Sequence, residues 1–262
     1  MKFSRAVWWI VLVVVAAFYL IPMLSMARFA FQRIPVINLA PNNVFSKWTV
    51  EPLLDTFGDP EFREAAMFTL MLAVGTAVAT SVLLVPTMVV AHLRSPTARK
   101  LIEISAALPF VVPAIALVVG FAGAFRNTVP FLIRNPIGLI PLYVITALPF
   151  THRTLENGLA ALDLRTLVDA SRSLGAGWMR TIVQVITPNM RASIATASFL
   201  AFTVVLGEFT IASLLLKNTL PLYLAYAQGQ SPQGSFALGL VLVVISTLFV
   251  VLSNRFGRKV TV

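Results

Sequence analysis

The 262-residue chain contains no cysteine, which excludes disulfides, thiolate metal ligands and a cysteine nucleophile. Charge is scarce: Asp, Glu, Lys and Arg make up 11% of the residues, against about 25% in an ordinary soluble domain. Histidine is scarcer still, and His92 and His152 stand far apart in sequence with no third ligand type beside either. Interface packing explains them better than metal binding. No Gly-x-x-x-x-Gly-Lys-Ser/Thr stretch occurs, so the chain has no loop of that kind to cradle ATP phosphates. Its polar segments bring together no carboxylate pair and no Ser/His/Asp set. These absences point to a conduit rather than a catalyst.

Hydrophobic residues are abundant, at 58%. Stretches lacking Asp, Glu, Lys and Arg cover 6–27, 65–93, 104–125, 135–152, 192–216 (interrupted only by Glu208) and 218–254. The last is too long for one helix, and the polar run from Gln228 to Gly234 leaves 235–254 to span. A membrane-crossing helix needs ~20 mostly apolar residues, and a helix satisfies its backbone polar groups internally where water is absent. The expected fold is all-α and integral to a membrane, a single transmembrane domain over 1–262 with six transmembrane helices. The first stretch follows Lys2 and Arg5 and has 22 residues. It exceeds the ~7–15 apolar residues of a signal peptide, so a retained anchor is expected. Trp8, Trp9, Phe18 and Tyr19 suit interfacial belts and lipid-facing surface.

The 20 Lys+Arg against 10 Asp+Glu would suggest nucleic acid in a soluble protein. Their distribution gives another reason. With the N-terminus inside, thirteen basic residues fall in inner segments, among them Lys2, Arg94, Arg99, Arg153, Arg165, Arg172 and Lys259. Seven fall outside, including Arg28, Arg33, Lys47 and Lys217, together with the acids Glu51, Asp55, Asp59, Glu61 and Glu64. This asymmetry is the positive-inside signature. Both termini are expected in the cytoplasm, and nucleic acid is not an expected partner. The outer segment 28–64 is long enough for a small lateral element.

The longest inner connection is 153–191. Within it Leu155, Leu159, Leu162 and Leu164 lead to Leu167, Ala170 and Leu174, apolar residues three and four apart as on a helix. Gly175 ends that pattern, as a residue tolerant of positive φ. Trp178, Ile182, Val185 and Ile186 then share a face before Pro188. A helix, a glycine turn and a second helix are expected at the inner membrane surface. An interfacial amphipathic hairpin resting on lipid or neighbouring helices would show the same pattern.

The residues are more specific than the pattern. Asp169–Ala170–Ser171–Arg172–Ser173–Leu174–Gly175–Ala176, followed by Val185–Ile186–Thr187–Pro188, resembles the EAA loop of permease subunits of binding-protein-dependent type I ABC importers. Departures are Asp169 for Glu, Ser171 for Ala, Thr187 for Leu and Ala192 where a second proline is frequent. Two weaker resemblances, to molybdate- and sulfate-type permeases, are Leu108–Pro109–Phe110–Val111–Val112–Pro113 and Gly207–Glu208–Phe209. The layout is also similar to polyamine, iron and aminophosphonate permeases.

The resemblance implies a coupling helix, between the fourth and fifth spans, that docks on a cytoplasmic ATPase subunit through Asp169, Ala170, Ser171, Arg172, Leu174, Gly175 and Ala176. Small side chains at Ala170 and Ser171 suit close approach, and Asp169 and Arg172 suit charge-assisted bonds at the rim. An intrahelical pair of Asp169 with Arg165 or Arg172 would also fit the spacing. No cofactor is expected in this chain, because ATP and Mg would sit on separate ATPase subunits. Further implied partners are a second permease subunit (copy or paralogue), an extracytoplasmic solute-binding protein and membrane lipid. The implied location is the bacterial cytoplasmic membrane, and the implied cargo a small polar or charged solute.

Glu208 carries most information within the apolar stretches. A carboxylate at mid-bilayer costs ~2.5–3.5 kcal/mol on insertion scales, so it belongs in a protein interior or beside water. Counted from Arg191 at 1.5 Å per residue, it lies ~26 Å along its helix, in the outer half. It can be read as a gate with Gly207 and Phe209, or as a structural carboxylate bonded within the protein. Pro109 and Pro113 each remove an intrahelical bond, so the third span should be kinked, and interrupted helices often surround transport sites. Glu103 should pair with Arg99 or reach the interface. An ion-coupled secondary transporter or channel using Glu208 is the main alternative; a membrane enzyme is disfavoured because the polar residues do not converge.

Overall fold

The structure, a computed structural model, describes residues 5–258 except 33, 35, 39, 41, 42, 44 and 45. Lys2, Arg33 and Lys259 of the charge balance, and both chain ends, lie outside the described residues. Two compact units emerge, one of residues 1–63 and 223–252 and the other of 64–222 and 253–262.

In the first unit, α1 (Arg5–Phe31) carries no charged residue from Ala6 to Ala27, and Ala30 is the first buried residue among its described side chains. Trp8, Trp9, Phe18 and Tyr19 are all exposed, as a lipid-facing helix requires. The segment after it is tied back to the end of α1 and carries a short helix. Buried Gln32 donates to the carbonyls of Asn43 (2.8 Å) and Ser46 (2.7 Å), and α2 (Glu51–Gly58) follows. Phe62 stacks near Tyr223, whose hydroxyl donates to Asp59 Oδ2 at 2.6 Å. That hydrogen bond is short and partly shielded, and burial followed by the bond to Asp59 pushes the Tyr223 phenol up to about 12.

The second unit is built on α3 (Pro60–Arg94), α4 (Pro96–Val111), α5 (Ala114–Phe125), α6 (Phe131–Arg134) and α7 (Leu139–Ala160). The chain continues through α8 (Leu164–Ser173), α9 (Trp178–Thr181), a π-turn over Ile182–Ile186, α10 (Thr187–Asn189), α11 (Arg191–Gly207) and α12 (Thr210–Leu214). Helix α7 is the hub, lying along α11 and against α4. Small residues allow this close approach. Ala77, Ala147 and Ala201 form one buried layer, Ser81 Oγ meets Ser198 Oγ at 2.8 Å, and a Cβ on Gly158 would collide with Ser193. On either side of that layer lie an aromatic-rich cluster around Phe121 and Tyr143 and an aliphatic one around Met88, Leu155 and Ile186.

Several expected boundaries move. Helix α7 runs on to Ala160 rather than stopping at 152, because Leu155 and Leu159 are buried and keep the helical face going past Arg153 and Glu156. Helix α3 likewise begins before the charge-free stretch, at Pro60. Helices continue beyond the apolar band wherever their own side chains find cover.

The expected third span is broken, not merely kinked: α4 and α5 meet at 110°. Pro113 forces Val112 into an extended conformation (φ −87°, ψ 117°), whereas Pro109 stays inside α4. The fifth stretch also divides, since α11 stops at Gly207 and a break at Glu208–Phe209 precedes α12. The polar run after α13 (Leu220–Gln230) does break the chain, at Ser231, before α14 (Pro232–Arg258). Among the described residues, two helices are long and apolar enough to cross a membrane, or up to four if each bent pair counts as one span.

Candidate functional site

Helix α8 is defined at both ends by its own sequence. At its start the Asp163 carboxylate accepts the Thr166 N–H at 3.3 Å and the Thr166 hydroxyl at 2.7 Å, an N-cap. The hydroxyl first and the backbone bond second hold the Asp163 carboxyl below the usual carboxylate range. At its end Gly175 has φ +81°, a left-handed conformation that penalises any Cβ. The Gly175 N–H donates to the Arg172 carbonyl at 2.9 Å and the Ala176 N–H to the Ser171 carbonyl at 3.1 Å. This pair of bonds is a Schellman turn, which satisfies carbonyls that the ending helix would otherwise leave open.

The face that α8 buries consists of Leu164, Val168 and Ser171. The second half of the apolar repeat visible in the sequence points the other way: Ala170 is exposed and Leu174 is 89% exposed, with Leu167 half-buried beside them. Asp169, Arg172 and Gly175 are exposed as well, and Ala176 is half-buried. Ser171 does not face outward. Its hydroxyl lies 2.9 Å from the buried Thr181 hydroxyl, so it pins α8 to α9. Asp169 forms no ion pair with Arg165 or Arg172, and its carbonyl accepts the Ser173 hydroxyl at 2.9 Å.

Beyond the turn, Trp178, Ile182 and Ile186 pack on the aliphatic cluster. The helix does not end at Pro188. Since Pro188 offers no N–H to the preceding turn, the helix widens one turn earlier, where the Thr187 N–H reaches the Ile182 carbonyl. The chain then bends by 83° into α11. Trp178 lies beneath two cations, with the Arg94 guanidinium 5.1 Å and the Arg172 guanidinium 5.6 Å from its ring centre.

Glu208 sits at the break between α11 and α12. Its carboxylate accepts the Ile211 N–H at 2.9 and 3.1 Å and the Ala212 N–H at 3.4 Å. The buried Tyr143 hydroxyl approaches it from α7, short of good hydrogen-bond geometry. Its oxygens are engaged by the backbone of α12, as the structural-carboxylate reading expects. Gly207 ends α11, and Phe209 is 43% exposed. Helix α12 packs on α5 and α7, so the two breaks, at Val112–Pro113 and Glu208–Phe209, belong to helices in mutual contact.

One cluster escaped the sequence reading. Glu156 on α7 accepts from Arg99 Nε at 2.9 Å and lies 3.2 Å from His92 Nε2, so Arg99 pairs with Glu156 and not with Glu103. Arg99 and Glu156 are 57 positions apart, and nothing local announces their meeting. Among the described residues no group of His, Cys, Asp and Glu could hold a metal ion.

Two broken helices in mutual contact, with a capped hairpin before one of them, belong to an all-helical chain with segments apolar enough to cross a membrane. Residues 93–262 match the family of binding-protein-dependent transport system inner membrane components, and the chain belongs to that family. It is a permease subunit of a binding-protein-dependent ABC importer, a multi-pass inner-membrane component and not an enzyme. A protein of Streptomyces antibioticus assigned as an ABC transporter permease is 31% identical over 202 residues, covering 72% of this chain and 85% of that protein. The molybdate/tungstate transport system permease protein of Thermococcus kodakarensis is 24% identical over 214 residues, covering 80% and 85%. A bacterial ABC transporter involved in the import of the acidic polysaccharide alginate has the same fold, with a TM-score of 0.70 over the whole of both chains at 17% identity.

Proposed function

We propose that this permease subunit forms half of a translocation pathway with six spans, and that its α8–α9 hairpin docks on a cytoplasmic ATPase subunit. A second permease subunit completes the pathway, and an extracytoplasmic binding protein delivers the solute. Both chain ends face the cytoplasm of a bacterial cell, in keeping with the basic surplus of the inner segments. The observation that carries the docking is the unburied face of α8. Ala170 and Leu174 are apolar, regularly spaced and exposed, on a helix fixed at both ends by a cap and a Schellman turn. Asp169 and Arg172 stand beside them without an ion pair to each other, ready for bonds across an interface. Rotation of such a rigid hairpin by a closing ATPase dimer would bias the helices attached to it between two states.

The cargo class is a small oxyanion. The Thermococcus relative's molybdate/tungstate assignment supports it.

The chain's lack of cysteine makes a direct test clean. A single cysteine at Leu174, carrying a photo-crosslinker, is expected to capture an ATPase subunit in membranes. Capture of phospholipid alone would overturn the docking.

A further inference from the structure

Beside the hairpin, α3 and α4 enclose a groove of about 460 Å³. Its walls are almost wholly apolar, formed by Pro86, Thr87 and Val90 of α3 and Ala98 and Ile102 of α4, and Arg94 borders it. The same Arg94 lies over the Trp178 ring together with Arg172. Two guanidiniums therefore approach one indole. Among the described residues neither has a carboxylate at ion-pair distance, because Glu156 is engaged by Arg99 and His92. Both arginines are exposed, and cation–π contact holds them at the ring while leaving their charge uncompensated.

An apolar slot and an unmatched positive patch thus share one residue. A free anion would match the patch and leave the slot bare. An acidic side chain of a partner protein would do the same. A molecule with a long hydrocarbon chain and an anionic head matches both, and basic pockets between membrane helices on the cytoplasmic side suit such heads. We infer that the groove between α3 and α4 is a binding site for an anionic phospholipid, with one acyl chain along the groove and the phosphate against Arg94. Arg172 adds to the field at the phosphate. The inference rests on the membrane placement given under the proposed function. Its consequence is a tie between the turn after α3 and the hairpin, through Arg94, Trp178 and Arg172.

The test uses the whole importer complex, purified in mild detergent and examined by native mass spectrometry with lipid extraction. It is then reconstituted in vesicles of phosphatidylcholine with and without phosphatidylglycerol. The wild type is expected to retain anionic phospholipid. Thr87→Trp fills the groove from an exposed position and should weaken retention by excluding the acyl chain; Arg94→Gln removes the charge and should weaken it about tenfold, the loss of one charge-assisted contact. Lys100→Gln, a neighbouring cation outside the groove, should retain lipid as the wild type does. A lipid-free wild type, equal retention of phosphatidylcholine, or an equal loss in Lys100→Gln would overturn the inference. So would a crosslinker at position 87 that captures an ATPase subunit or a second copy of the chain. Co-purification of the ATPase subunit is scored separately. Its absence from the wild type overturns the docking proposal, while lipid loss with the ATPase retained leaves that proposal intact.

Discussion

The Ser171 hydroxyl lies 2.9 Å from the Thr181 hydroxyl, and both residues are buried between the two arms of the hairpin. This contact ties the two arms of the hairpin together across the glycine turn. Ser171→Ala leaves the Thr181 hydroxyl buried without its partner, at about 1–3 kcal/mol. Thermal unfolding of Ser171→Ala, Thr181→Val and the double variant should show the double variant less destabilised than the two single effects added. Strict additivity would count against the contact.

Gly175 has φ +81° with open space where a Cβ would stand, so substitution strains the backbone without a clash. A left-handed residue with a side chain costs about 1–2 kcal/mol, and β-branching adds to that. Gly175→Val should keep the fold and lose coupling, with ATP hydrolysis continuing in reconstituted vesicles while solute uptake falls. Gly175→Asn should be milder, since Asn tolerates this region better. Coupled uptake by Gly175→Val at the wild-type level would sink the assignment.

Replacement of Glu208 separates its charge from its cap. Glu208→Gln keeps an oxygen for the Ile211 N–H but removes the carboxylate, and reduced uptake with normal membrane insertion is expected. Glu208→Ala removes the cap too and should cost a further ~1 kcal/mol of stability, read as a lower melting temperature. If Glu208→Gln transports as the wild type does, the charge at this break has no part in transport.

Two groups outside the spans set opposite pH limits. Asp163 has its carboxyl held below the usual range, so its cap acts fully above the ordinary carboxylate pKa and is lost as pH falls through the lowered value. Asp163→Asn should flatten that acid limb in hairpin crosslinking or hydrogen exchange. Tyr223 is raised to about 12. Its contribution is complete below the ordinary tyrosine value near 10 and disappears as pH climbs through the raised one. Asp59→Asn should bring Tyr223 ionisation back toward the ordinary value in an ultraviolet titration.

The turn of the hairpin was legible because Gly175 is a local signal and its Schellman bonds need only neighbouring residues. The outward direction of Ala170 and Leu174 was not. Periodicity gives a helix its stripe, but only the packing of Leu164, Val168 and Ser171 decides which stripe is covered. Runs free of charge located the helices and misjudged their ends, since Leu155 and Leu159 carry α7 past Arg153. Pro113 announced a disturbance, and its size depended on Val112 becoming extended. Glu156 was invisible as a partner for Arg99 because their meeting is a product of how α4 lies on α7.

The carboxylate at position 208 turns inward upon its own chain, tethered by successive amides at the head of a five-residue helix. An acid so occupied has its place and its hydrogen bonds accounted for by the fold itself. Its presence midway through an apolar stretch therefore carries no information about the sign of the cargo. What it supplies is an acceptor for the first amides of the short helix after the interruption, which a broken helix would otherwise leave without partners.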